Sequence, residues 1–316
     1  MNNLVIITGP TAVGKTEISI ELAKAINGEI ISADSIQVYK YMDIGSAKIK
    51  KEEMQGIKHY LIDEFEPDDE FNVNVFQKLT KKYINEIYEK GKTPIIVGGT
   101  GFYIQSVLYD IDFDETEDNH EYRKTLEQIY KDKGVQYLYN MLKEVDEESA
   151  KAIHYNNVKR VIRALEYNHQ TGKKISDHNK EQREHASPYN FKYFVLNDKR
   201  ELLYSRINKR VDSMIKEGLV DEVKSLLDKG YDRNLVSMQG IGYKEIIECL
   251  DGKISLEEAV ELIKKNTRHF AKRQLTWFRR EKTVTMVNWD EYDYDKNKLL
   301  ACMLKDLREI NIIKDK

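Results

Sequence analysis

The run Gly9-Pro10-Thr11-Ala12-Val13-Gly14-Lys15-Thr16 fits the pattern G-x-x-x-x-G-K-[ST]. An apolar stretch at residues 4–8 precedes it, and a stretch with Ile18, Leu22 and Ile26 at helical spacing follows. A strand feeding a glycine turn and then a helix is the frame in which this pattern has a mechanism. The glycines let successive backbone N–H groups converge on phosphate oxygens, and the helix start adds positive dipole. Lys15 adds a point charge, and the Thr16 hydroxyl is a ligand for Mg²⁺. The expected ligand is a polyphosphate. Kinases, nucleotide hydrolases and other diphosphate enzymes share such a cradle, so ATP and a non-nucleotide diphosphate both stay open on this pattern alone.

Two further groups of residues belong at the same edge. In a parallel sheet the carboxyl ends of neighbouring strands lie together, so Asp34-Ser35 and Gly98-Gly99-Thr100, each closing an apolar run, should flank the loop. A hydrolytic enzyme carries an acid after its apolar strand to anchor the metal, but Ile95-Ile96-Val97 runs into Gly98-Gly99-Thr100 instead. Asp34 is then a metal-associated acid, a general base for an acceptor nucleophile, or a cap for the turn that follows it.

The elements that must position these groups read as α/β. Residues 4–8, 29–33, 92–97 and 191–196 are strand-like, separated by stretches of crossover length, which predicts a P-loop NTPase-like parallel sheet flanked by helices. From about residue 119 to 174 the sequence is helix-like and polar, predicting an inserted all-helical module. The organisation expected is a core begun by residues 1–112, interrupted at 113–190 and completed by 191–316. Residues 200–229 and 255–280 have long helical patterns, the second opened by a capping box, Ser255 with Glu258.

Composition limits the class. With 316 residues, 41% hydrophobic and 33% charged, the chain can bury a large core. No apolar run approaches the ~20 residues of a membrane span, and the start lacks the basic flank of a secretory signal, so a cytoplasmic protein without membrane association is expected. Cys249 and Cys302 suggest neither a disulfide framework nor a zinc site. A net charge of −3 argues against non-specific coating of nucleic acid, yet charge is segregated: residues 110–118 are acidic, whereas 159–174 and 268–282 are basic. Lys159 and Arg163 share one helical face, as do Arg268, Lys272 and Arg279; Trp277 and Phe278 interleave as core residues.

Several blocks, in order, resemble the tRNA dimethylallyltransferase (IPP transferase) family: residues 9–16, 31–39, 42–48, 97–103, 159–166, 240–244 and 271–279. No block here resembles the zinc-finger region of eukaryotic members, and the type expected from the resemblance is the bacterial one. The resemblance implies dimethylallyl diphosphate as donor, the exocyclic amine of the adenosine immediately 3′ of the anticodon as acceptor, and Mg²⁺ as cofactor. It implies Asp34 as base and Thr100 beside the reacting groups. Gly9, Pro10, Thr11, Ala12, Val13, Gly14, Lys15 and Thr16, with Arg210, would hold the diphosphate, and Thr16 the metal. The tRNA would meet Asp34, Ser35, Ile36 and Gln37, Thr100, Arg123, then Lys159, Arg160, Val161, Ile162 and Arg163, and also Gln239, Gly240, Ile241, Gly242, Tyr243 and Lys244. The helical module is the candidate for gripping the anticodon stem-loop, and a monomer is expected. A small-molecule kinase using ATP, or a nucleotide-dependent RNA-binding regulator, remain the alternatives.

Overall fold

Leu4-Val5-Ile6-Ile7 offers no polar side chain to turn toward water, and the strand it forms, β1 (Asn3–Thr8), has those four residues wholly buried. β2 (Gly28–Ala33) is buried along its length although it carries Glu29 and Ser32, and the apolar centres of β4 (Thr93–Gly98) and β5 (Asn190–Asn197) are buried too. Near-continuous apolar runs are what a parallel sheet covered on both faces requires. The computed structural model describes residues 2–113, 120–182, 185–281 and 283–314. The acidic residues 114–118, the start of the module at 119 and Lys282 lie outside the described residues.

The described strands form one all-parallel sheet in the order β3-β2-β4-β1-β5-β6, where β3 is His59–Tyr60 and β6 is Val284–Asn288. Sequence pattern found four of these strands. β3 is two residues long, too short for any period, and β6 lies at the sheet edge with mostly half-buried residues. The helices in chain order are α1 (Lys15–Ala25), α2 (Val73–Glu89), α3 (Gly101–Leu108), α4 (His120–Val145), α5 (Glu147–Ala152), α6 (Val158–Thr171), α7 (Ile175–Gln182), α8 (Arg200–Glu217), α9 (Leu219–Asp228), α10 (Tyr243–Leu250), α11 (Leu256–Phe278) and α12 (Lys296–Glu309). Residues 200–229 are not one helix: Gly218, at φ 102°, ends α8 and starts α9. The capping box at the head of α11 is formed, with Glu258 N donating to Ser255 Oγ at 3.1 Å and Ser255 N to Glu258 Oε2 at 2.8 Å.

Two compact units result. The first, Met1–Leu108 with Pro188–Lys316, carries the sheet; one apolar cluster joins Val5, Ile7, Ile18, Leu22 and Ile95 to Leu299 and Met303 of α12. The second, Tyr109–Ser187, is helical, with Leu126, Leu138 and Leu142 of α4 packed on Val161 and Leu165 of α6. Buried Asp146 organises this unit. Its carboxylate accepts the N–H and hydroxyl of Ser149 at 2.9 and 2.7 Å, and those of Ser176 at 2.9 and 2.8 Å, capping α5 and bracing the start of α7. Among the described residues no helix is long and apolar enough to cross a membrane.

Candidate active site

The phosphate loop follows β1 and opens α1, as its sequence pattern requires. Gly9 sits at φ 144°, and a Cβ there would run into the carbonyl of Leu196 on neighbouring β5, so only glycine fits. Val13 is held from outside the loop: the indole Nε1 of Trp289 donates to its carbonyl at 2.7 Å. Thr8 Oγ1 donates to Gly98 O at 2.6 Å and ties the loop's strand to β4. Thr16 is exposed in the first turn of α1.

Lys15 lies along the loop, with Nζ donating to Gly9 O at 3.0 Å and Pro10 O at 2.9 Å. Burial pulls its pKa from 10.5 down to about 7; the Arg210 charge pushes the same way, and the Asp34 carboxylate opposes them. These three side chains, from α1, α8 and the end of β2, therefore share one electrostatic neighbourhood. An anion entering it would find two cations, one poorly solvated.

Asp34 does what a turn cap does, and more. Its Oδ1 accepts Ile36 N at 2.9 Å and Gln37 N at 3.2 Å, while Oδ2 takes no hydrogen bond from the described residues. One oxygen fixes the group and the other stays available. Tyr103 of α3 lies near it, its phenol pKa raised by burial and by the neighbouring Tyr39 and Asp34.

The sheet order places β4 between β1 and β2, so residues 98–100 stand between the loop and Asp34. Thr100 N donates to Ala33 O at 3.3 Å, and its carbonyl receives Tyr103 N at 3.0 Å at the head of α3. The Thr100 hydroxyl makes no hydrogen bond with the described residues. A carboxylate oxygen and a hydroxyl are thus presented on the same edge as the loop.

The blocks at 34–37 and 239–244 are brought together. A Cβ on Gly240 would lie 3.4 Å from Ile36 Cδ1. Gln37 Nε2 reaches the carbonyls of Ser46 and Ala47 at 3.3 and 3.4 Å, and Lys48 Nζ bonds Tyr39 O and Asp43 Oδ1, both at 2.6 Å. Ser35 and Ile241 are half-buried, Lys244 is half-exposed and Gln239 is exposed. Gly242 and Tyr243 are buried, so the Tyr243 side chain serves the interior.

In the helical unit Lys159, Arg160 and Arg163 are exposed on α6, whereas Val161 and Ile162 are buried in its core. Arg123 grips Glu166 with two bonds, at 2.8 and 2.9 Å, joining α4 to α6. Lys272 on α11 and Arg279 just past its end are exposed, but Arg268 donates to Asn208 Oδ1 at 2.7 Å. Phe278 is buried core, as its spacing suggested. Neither cysteine is paired; Cys302 accepts the Tyr292 hydroxyl at 3.2 Å.

Three residues that support the site escaped sequence reasoning: Glu222, Gln274 and Trp289. Each acts through a partner more than 170 positions away. Only Gln274 left a trace, a polar residue in line with Ala271 and Phe278 on the buried side of α11.

The profile of a family described as IPP transferase matches residues 37–281. Over 314 residues the chain is 60% identical to a tRNA dimethylallyltransferase of Lachnoclostridium phytofermentans, covering 99% of this chain and 100% of that one. The structure is similar to a full-length tRNA isopentenylpyrophosphate transferase from Bacillus halodurans, at TM-score 0.74 and 45% identity over 98% of both chains. It is also similar to a eukaryotic dimethylallyltransferase acting on tRNA, at TM-score 0.83 and 30% identity, covering 99% of this chain and 81% of the other.

Proposed function

Because this chain belongs to the IPP transferase family, we propose that it transfers a dimethylallyl group from dimethylallyl diphosphate to the exocyclic amine of the adenosine 3′ of the anticodon in tRNA, releasing diphosphate. The observation that carries this reading is geometric: the strand order β2-β4-β1 sets Asp34, the turn at 98–100 and the Lys15 loop side by side at the carboxyl ends of neighbouring strands, with the Arg210 charge close enough to act on Lys15. Cations wait where a diphosphate would leave, and a carboxylate waits where an amine would lose its proton.

The chemistry suits these groups. The amine nitrogen bonds to the allylic carbon as that carbon's bond to the diphosphate oxygen breaks. The nitrogen becomes acidic only as the new bond forms, so Asp34 Oδ2 takes its proton late and no strongly basic group is needed. Negative charge grows on the departing diphosphate, and Lys15, Arg210 and the loop N–H groups stabilise it more in the transition state than before it. The Thr100 hydroxyl lies on the same edge to orient the acceptor.

Mg²⁺ fits this donor set as a substrate-carried ion. Among the described residues no group of three or more His, Cys, Asp or Glu could hold a metal, and Mg²⁺ keeps water and phosphate oxygens in preference to an all-protein cage. The exposed Thr16 hydroxyl would be its protein ligand, and the ion would neutralise leaving-group charge.

An anticodon-loop adenine is normally stacked, so extracting it costs a few kcal/mol. Contacts elsewhere on the RNA must offset this. The 34–37 and 239–244 blocks supply them in the first unit, and Lys159, Arg160 and Arg163 offer cations to phosphates from the second.

The test uses purified protein, labelled dimethylallyl diphosphate and an unmodified anticodon stem-loop. Label in the adenine, with stoichiometric diphosphate, is the expected result. Phosphate transfer from ATP with the prenyl donor untouched would establish a kinase instead, and tRNA retained without product a binding protein.

A further inference from the structure

One side chain joins the phosphate loop to the turn that carries Thr100. Gln274, 6% exposed on the inner side of α11, accepts Thr11 N on Oε1 at 2.9 Å and donates from Nε2 to Gly99 O at 3.0 Å. The partners dictate the amide's orientation, since a backbone N–H only donates and a carbonyl only accepts. At neutral pH no other side chain of this length does both at once. The approach is close: a Cβ on Gly99 would overlap Nε2, and Gly9 O lies only 3.8 Å from the same point. Neighbouring residues of α11 reinforce the contact. Ala271 shares a small apolar cluster with Ala12 of the loop and Ile207 of α8, and the Trp277 indole fills the space beside Gly101, the first residue of α3. Residues 271, 274 and 277 thus form a row along α11 that backs both the loop and the turn.

We propose that Gln274 is a positioning residue that sets the distance between the diphosphate loop and the Gly99–Thr100 turn, and through it the distance between leaving group and acceptor. This rests on the prenyl-transfer reading, in which the loop holds one reactant and the turn stands beside the other. Gln274 touches neither reactant. Its effect is on alignment, where a displacement of about 1 Å costs about 100-fold in rate.

Two variants of near-equal volume test it. Gln274→Met removes both bonds. Gln274→Glu keeps acceptance from Thr11 N but, when ionised, sets a charge against Gly99 O; when protonated, its hydroxyl donates there again. At saturating substrates both should lose about 10–100-fold in kcat at neutral pH, with stem-loop Kd within about twofold of wild type in both and diphosphate Kd within about twofold in Gln274→Met, which adds no charge beside the loop. The ratio of Gln274→Glu to wild-type activity should rise as pH falls, while the Gln274→Met ratio stays level. Wild-type kcat in either variant overturns the proposal, as does a loss in Gln274→Glu that does not recover with acid. If the loss in Gln274→Met instead tracks lowered melting temperature or weakened diphosphate binding, the role is support of the fold and the proposal fails. The ratios are taken on whichever group transfer the wild type performs, so wild-type turnover of the prenyl donor tests the functional reading separately.

Discussion

The Tyr243 hydroxyl donates to Glu222 Oε1 at 2.8 Å, and that carboxylate also accepts the backbone N–H groups of Asp43, Ile44 and Gly45 at 2.9, 2.7 and 3.0 Å. Four donors from two sequence blocks converge on one side chain. Burial beside this carboxylate keeps the Tyr243 phenol protonated by raising its pKa. Glu222 therefore fixes residues 42–48 against the start of α10, and through Gln37 it steadies the turn after Asp34.

Glu222→Ala should accordingly destabilise the protein by about 2–3 kcal/mol, because several donors lose their acceptor together. Glu222→Gln, which keeps an acceptor oxygen but no charge, should lose less. Denaturant unfolding of the two variants checks this, and equal stability of Glu222→Ala and wild type would remove the clamp.

Asp34→Asn separates turn capping from proton acceptance. Asparagine retains an oxygen for Ile36 N and Gln37 N, so the turn should persist, with stem-loop Kd within about threefold of wild type. Loss of the base should lower single-turnover transfer by about 100- to 10,000-fold. A parallel collapse in tRNA affinity would make Asp34 an RNA-binding residue.

Lys15 links donor binding to protons. With its pKa held down to about 7 in the free protein, the amine is largely neutral above that pH, and a bound diphosphate raises the pKa again. Binding then takes up a proton, and affinity falls as pH rises above about 7, by at most about tenfold per unit. Below about 7 the amine is already charged and this dependence flattens. Calorimetry with inorganic diphosphate at pH 8, in buffers of different ionisation heat, should show uptake in wild type and less in Lys15→Arg, whose guanidinium stays charged. Equal uptake in both would place the proton on a group other than Lys15. The same shift stabilises the free protein as pH rises from about 7 to 10.5, where the unfolded chain binds the extra proton.

Lys159→Ala with Arg163→Ala should weaken stem-loop binding and reduce the steepness of its salt dependence by about 1–2 units of slope, one phosphate contact per residue removed. Transfer at saturating RNA should change little. An unaltered slope returns this face of α6 to solvent.

The phosphate loop was legible from residues 9–16 because everything that makes it is local: a buried strand, glycines, a lysine and a helix start lie within a few residues of each other. The capping box at Ser255 and Glu258 was legible for the same reason, its two bonds spanning three positions. Four strands, their parallel α/β arrangement and the helical module were legible too, but tertiary structure alone decided the strand order and the long-range partners. β4 enters the sheet between β1 and β2, which is what sets Thr100 between the loop and Asp34, and no periodicity encodes strand order. Thr11 and Gln274 are 263 positions apart, Val13 and Trp289 are 276 apart, and Gly45 and Glu222 are 177 apart. A backbone group short of a partner can be satisfied from anywhere the chain returns. Such partners carry no local signature until the hydrophobic sheet has folded and brought them within hydrogen-bond reach.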